Sequence, residues 1–190
     1  MIIAVTGHRP KNFGKGDNSI YDIHHATNVK IGRAMREFIL MRAGYNAETK
    51  EFSSTEPIRL VSGMALGVDT IWALVALKLK SQFPGKFELE CAIPHANHGN
   101  KWSQVDKKRY VDILSKADHV EHVSKEPYSA YLMQKRNEYM VNLADEVLAI
   151  WDGSKSGTGN CVNYAMKKGV PVYQYHPFLF EDMDKAKVIS

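Results

Sequence analysis

Three glycine-bearing segments of this chain carry the residue types needed to hold an anion. The first, Thr6-Gly7-His8-Arg9-Pro10, pairs a glycine that lets the backbone approach a ligand with an arginine whose planar guanidinium can clamp a phosphate or carboxylate. The same residues would equally serve as a strand-ending turn with a solvated arginine. The second, Ser62-Gly63-Met64-Ala65-Leu66-Gly67-Val68-Asp69, sets two glycines around a helix start, where unpaired N–H groups and the helix dipole attract anions. No Gly-Lys-Ser/Thr comes after it, so it is neither a Walker loop nor the dinucleotide fingerprint. Asp69 in that first turn either serves a ligand or complements the dipole. The third and strongest is Asp152-Gly153-Ser154-Lys155-Ser156-Gly157-Thr158-Gly159-Asn160, where glycines and hydroxyls lead into a helical pattern. Such a run can fold into a concave nest of N–H donors around phosphate oxygens.

Weaker signals surround these. Pro94 and Trp102 bracket a loop rich in His and Asn, and Trp102 there either stacks on a base or caps the core. Arg136 and Asn137 fall mid-helix, where periodicity alone makes them solvated. His95-x-x-His98 and His119-x-x-His122 have ligand-like spacing without a neighbouring Cys or carboxylate cluster. In a strand, His119 and His122 would point to opposite faces. No metal is expected. Ser62 lacks the context of a nucleophile elbow, and Cys91 and Cys161 form no CxxC pair, as fits a reducing cytoplasm.

These segments need strands and helices to hold them in place. Short β-branched runs at 2–5, 58–61, 87–93, 119–123, 146–151 and 170–173 read as strands. Helical patterns occupy 25–42, 66–81, 103–116, 128–142 and 162–168, the last stopped by Gly169. Pro171 marks the final strand as a sheet edge or a strand start. Residues 44–57 are polar and aperiodic, a surface excursion, and the tail 177–190 is expected as a short helix or a trailing end beside a domain spanning 1–176. Strict alternation of strand and helix implies an α/β, Rossmann-like three-layer sandwich with a mostly parallel sheet. In such sheets ligands sit beyond the carboxyl ends of the strands, which is where the three segments fall.

Composition narrows the function. The 190 residues are 44% hydrophobic and 24% charged, an ordinary globular balance that excludes disorder and collagen. The longest apolar run, residues 71–77, is too short for the ~20 residues a bilayer requires, so a cytoplasmic protein without a membrane partner is expected. The net charge of +4 tolerates an anionic ligand but is too small and scattered for a nucleic-acid surface.

Taken in order, Thr6-Gly7-His8-Arg9-Pro10, Ser62-Gly63-x-Ala65-x-Gly67-x-Asp69, Trp102, Arg136-Asn137, Ala144-Asp145 and Asp152-Gly153-x-x-x-Gly157-Thr158 resemble the SLOG superfamily, within it the YpsA-like, DUF1273-type group. The resemblance implies a Rossmann-like sheet that binds a nucleotide or ADP-ribose-type small molecule, as a sensor or sequestering protein. Carried over by motif, Arg9, Gly63, Gly67, Asp69, Arg136, Asn137, Gly157 and Thr158 would line the pocket. With the neighbouring motif positions, the candidate ligand set also takes in Thr6, Gly7, His8, Ser62, Met64, Pro94, Trp102, Asp152, Gly153, Gly159 and Asn160. The superfamily also contains phosphoribohydrolases and the DNA-processing protein DprA, which leaves cleavage of a nucleotide N-glycosidic bond and single-strand DNA binding as alternatives. The hydrolase pattern Gly-Gly-x-Gly-Thr-x-x-Glu is broken here, because Gly157-Thr158-Gly159-Asn160-Cys161 offers no carboxylate. Asp69 and Asp152 are then the candidate catalytic carboxylates, or in a binder the groups expected to address ribose hydroxyls. A homo-oligomer is left open.

Overall fold

A computed structural model describes residues 1–14, 18–177 and 187–189. In chain order the elements are β1 (Ile2–Gly7), α1 (Pro10–Gly14), a 3-10 turn (Asn18–Tyr21), α2 (Ala26–Arg42), β2 (Tyr45–Asn46), β3 (Glu51–Phe52), β4 (Ile58–Ser62), α3 (Val68–Gln82), β5 (Phe87–Ile93), α4 (Gln104–Lys116), β6 (His119–His122), α5 (Ala130–Leu143), β7 (Glu146–Ile150), α6 (Gly157–Lys168), β8 (Val172–Tyr175) and β9 (Lys187–Ile189). The main sheet runs β6-β5-β4-β1-β7-β8-β9 and is parallel except for the β8–β9 pair. The expected Rossmann-like α/β sandwich is therefore what the chain forms. No helix among the described residues is long and apolar enough to cross a membrane.

Alternation along the strands builds two unequal cores. Ile3, Val5, Leu60, Leu89, Leu148 and Ile150 point to one face, against Ile31, Met35 and Phe38 of α2 and Val68 and Trp72 of α3. The opposite face carries smaller residues, Ala4, Val61, Ala92 and Ala149. Small side chains there bring α5 and α6 close to the sheet through Met140, Val141, Cys161, Val162 and Ala165. That proximity sets the start of α6 and the middle of α5 over the end of β1.

Four details depart from the sequence reading. Helix α6 begins at Gly157, not 162, because Ser156 caps it: its hydroxyl accepts the Gly159 N–H at 3.1 Å. Glycine's low helix propensity hid a start that the cap secures. The final strand begins at Val172 because the Val170 N–H is spent on the Ala165 carbonyl closing α6 and Pro171 has none; it pairs on both sides and is not an edge. The 44–57 excursion holds the β2–β3 hairpin, whose Tyr45 and Phe52 rings lie 5.0 Å apart and pack on Phe83. Of the tail, residues 178–186 and 190 lie outside the described residues, while Lys187–Ile189 form β9 antiparallel to β8. Too few residues alternate there for a strand to be legible. His119 and His122 both lie exposed on edge strand β6.

The cap on α6 is open to test. Ser156→Ala should lower stability by about 1 kcal/mol in urea unfolding, and Ser156→Asp should retain most of it.

Candidate functional site

Strand order reverses between β1 and β7, whose carboxyl ends pair at Gly7 and Ile150. A crevice must open there, since the chain leaves β1 toward one side of the sheet and β7 toward the other. Two adjoining cavities of about 430 and 500 Å³ fill it, and Arg9, Lys11, Ala65, Tyr128 and Met133 line both.

The smaller cavity gathers nine of the expected residues: Thr6, Gly7, His8, Arg9, Asp69, Arg136, Asn137, Gly157 and Thr158. At its floor, Ser156 satisfies Gly159 while the Gly157 and Thr158 N–H groups find no protein acceptor among the described residues. They face the cleft at the positive end of a 12-residue helix. Arg9 is exposed and has no ion-pair partner among the described residues. A side chain built on Gly157 would meet no atom within 4 Å. No packing contact therefore requires a glycine there.

Arg136 is held by protein as well as facing the cavity. Its Nε donates to Asn137 Oδ1 at 3.1 Å, and its Nη1 donates to the Gly63 carbonyl and to Asp69 Oδ2, the latter at 3.3 Å. Only Nη2 lacks a protein acceptor among the described residues, so a bidentate grip on phosphate is not available to it. Asp69 Oδ2 also accepts the Ala65 N–H at 3.2 Å. Burial raises the Asp69 carboxyl above its ordinary value, while the Arg136 guanidinium, the Ala65 amide and Arg9 pull it back.

The remaining expected residues do not line the smaller cavity, and each has a structural reason. Ser62 donates its hydroxyl to the Asp69 carbonyl at 2.8 Å and accepts the Met64 N–H. Gly63 leaves the space that the Arg136 guanidinium occupies, so valine there would disrupt the fold rather than only block a ligand. Gly67 takes φ +96°, and a Cβ on it would meet the His8 carbonyl at 2.9 Å. The buried Met64 adopts φ +55°, an uncommon left-handed setting that aims its carbonyl at His98. Pro94 is buried at the end of β5, Gly153 and Asn160 are exposed, and a Cβ on Gly159 would press on the Ser154 carbonyl. Asp152 is exposed and lines neither cavity, with Oδ1 2.7 Å from His8 Nε2 and accepting the Ser154 N–H. Burial alone would raise its carboxyl, but bonds from Ser154 and His8 outweigh that and hold it well below the usual carboxylate range. Each carboxylate thus engages protein through one oxygen, Asp69 through Oδ2 and Asp152 through Oδ1.

The larger cavity supplies what sequence reasoning missed. Trp102 lines it as expected, together with His95, Asn97, His98, Tyr128 and Tyr21. The His98 ring lies 5.0 Å from Trp102 and 5.1 Å from His95, both edge-on, and the His95 ring lies 5.3 Å from Tyr128. The His- and Asn-rich loop ending in Trp102 pointed to this wall, but the His95-x-x-His98 spacing within it gave no role for the two rings. Tyr128 and Met133 sit in and before an ordinary amphipathic helix and gave none. Burial lowers the His98 imidazole to about 4, with nearby Arg136, His95 and Arg9 adding to the effect against the Met64 carbonyl.

A doubly wound α/β sandwich with a basic cleft at its switch point is a Rossmann-like domain with a ligand-sized site. Over residues 3–184 the chain matches the YspA SLOG family, and it belongs to that family. It is 36% identical over 137 residues to the Bacillus subtilis (strain 168) "Uncharacterized SPbeta prophage-derived protein YoqJ", covering 65% of this chain and 80% of that one. It is 27% identical over 185 residues to a UPF0398 protein of Bacillus cereus (strain AH820), covering 96% and 92%. The fold resembles DNA processing protein A (DprA) of Streptococcus pneumoniae at TM-score 0.58 and 17% identity, with 95% of this chain aligned to about half (53%) of that one. DprA of Helicobacter pylori, a structure described for its single-stranded DNA binding mode, aligns at TM-score 0.53 and 16% identity over 98% of this chain and 68% of its own.

The buried groups should leave their mark on stability. Asp69→Ala should cost about 3–5 kcal/mol in urea unfolding by leaving Arg136 buried and unpaired, and Asp69→Asn, which keeps an acceptor, should cost less. For His98 the folded value near 4 lies below the roughly 6.5 of an unfolded chain, so the unfolded state takes up a proton that the fold refuses. Stability should fall as pH drops from about 6.5 to about 4 and level off below, and the slope should be shallower in His98→Gln.

Proposed function

We infer that the chain binds a nucleotide or ADP-ribose-type small molecule in the cleft, as a sensor or a sequestering protein. The observation that carries this reading is the pairing of two different half-sites. The uncapped Gly157 and Thr158 amides, with Arg9 and the Arg136 Nη2, suit a phosphate. The adjoining aromatic cavity suits a flat ring. A binding role also fits the position where the hydrolase pattern has its glutamate. Cys161 there is 1% exposed, near the Thr6 hydroxyl, and burial pushes its thiol up to about 11, which makes it neither base nor nucleophile at neutral pH.

Single-strand DNA binding is a second reading, favoured by one observation. Exposed Tyr128 lines the cleft together with Lys11 and Lys101, a stacking-plus-basic combination.

Calorimetry with ADP-ribose and with ribose 5-phosphate tests the leading reading. Wild type should bind both, and Gly157→Val should lose binding with an unchanged unfolding midpoint, because a side chain at this cavity-lining position meets no protein atom within 4 Å. Arg9→Ala should weaken binding by about tenfold, as expected for a charge-assisted bond. Failure of both probes, together with DNA affinity that falls steeply with salt, would transfer the site to the second reading.

A further inference from the structure

The hydrogen-bond network around His95 and His98 fixes where their protons sit. Asn97 Oδ1 accepts the Tyr128 backbone N–H at 3.2 Å, which identifies that atom as the amide oxygen. His95 Nδ1 lies 2.7 Å from the same oxygen and must carry a hydrogen, leaving Nε2 bare in the neutral ring. His98 Nε2 lies 2.9 Å from the Met64 carbonyl and must carry one too, leaving Nδ1 bare. The two bare nitrogens face each other at 3.4 Å. Two acceptors at that distance satisfy neither, and both rings line the larger cavity.

Three occupants could complete the pair: a shared proton, a metal ion, or an N–H group of a bound molecule. The surroundings discriminate among them. Arg9, Lys11 and Lys101 line the same cavity and, among the described residues, no carboxylate does, so the field of that lining opposes an added cation. The low value of His98, near 4, agrees. A neutral N–H donor meets no such opposition. Trp102 and Tyr128, each packed edge-to-face with one of the two imidazoles, make this wall aromatic and suited to a flat donor, and the lining shared with the phosphate half-site connects the two.

We propose that His95 and His98 form a base-reading subsite that accepts hydrogen bonds from the exocyclic amino group of a nucleotide base. The proposal rests on the reading that a nucleotide occupies the cleft, and it adds the class of base. Adenine, cytosine and guanine nucleotides present an amino donor, and for adenine and cytosine it stands where the deaminated base has a carbonyl. That carbonyl would bring a third acceptor against two others.

The test is calorimetry on the full chain at pH 7.5 with AMP against IMP, CMP against UMP, and ribose 5-phosphate as the probe of the phosphate half-site. A preference of tenfold or more for the amino member of either pair, abolished in His98→Phe while ribose 5-phosphate still binds, is the expected result. Equal affinities within both wild-type pairs, with ribose 5-phosphate bound, overturn the base-reading role and leave the nucleotide reading intact. No binding of any probe overturns both. Two further wild-type measurements guard against a variant that fails to fold. Imidazole ¹⁵N shifts showing a doubly protonated ring at pH 7.5 would overturn the proposal in favour of a shared proton. Binding of Zn²⁺ alone to this pair would overturn it in favour of a metal.

Discussion

The buried guanidinium of Arg136 ties together the elements that form the cleft. It reaches from the middle of α5 to the Gly63 carbonyl just after β4 and to Asp69 in the first turn of α3. Its neighbour Asn137 donates to the Gly157 carbonyl at the start of α6. Through two adjacent residues, one helix thus fixes the turn after β4 and the beginning of α6, which lie on either side of β1. A charge buried this deeply is tolerated only because Asp69, Asn137 and a main-chain carbonyl surround it. The glycine at position 63 is the steric condition for that arrangement, since any Cβ would take the guanidinium's place.

Much of this was legible in the chain itself. Alternating strand and helix patterns implied the sandwich, and the loops at the carboxyl ends of the strands pointed to the residues at the switch point. The motif resemblance placed Arg136 at the site although its helical periodicity argued for solvent. What stayed hidden has identifiable causes. A glycine signals that a side chain is excluded without saying what excludes it. Gly63 and Gly67 make room for protein and Gly157 borders open space, yet the three look alike in sequence. The start of α6 was masked because a single serine cap outweighed two poor helix formers. The β2–β3 hairpin rests on aromatic contacts between Tyr45, Phe52 and Phe83, which no local period encodes. Asp152 opens the strongest motif, yet its Oδ1 serves His8 and Ser154 and it lines neither cavity, so membership of the motif did not mean a place in the cleft lining.

The cleft is chemically divided. One half offers uncapped amides and arginine to an anion, and the other offers aromatic edges and neutral imidazoles to a flat polar ring. Burial, with Arg136 and Arg9 adding to it, holds the His98 imidazole neutral, so the two halves are linked through charge as well as through their shared lining. This coupling explains how one compact site can present hydrogen-bond donors at one end and acceptors at the other. The likeness to DprA extends to the fold and adds no ligand of its own.

A crystal structure of the chain soaked with AMP tests the central claim most directly. The phosphate should lie within hydrogen-bond distance of the Gly157 and Thr158 amides beside Arg9, with the base against Trp102 and the His95–His98 pair. A phosphate bound elsewhere on the surface, with the cleft filled only by water, would contradict it.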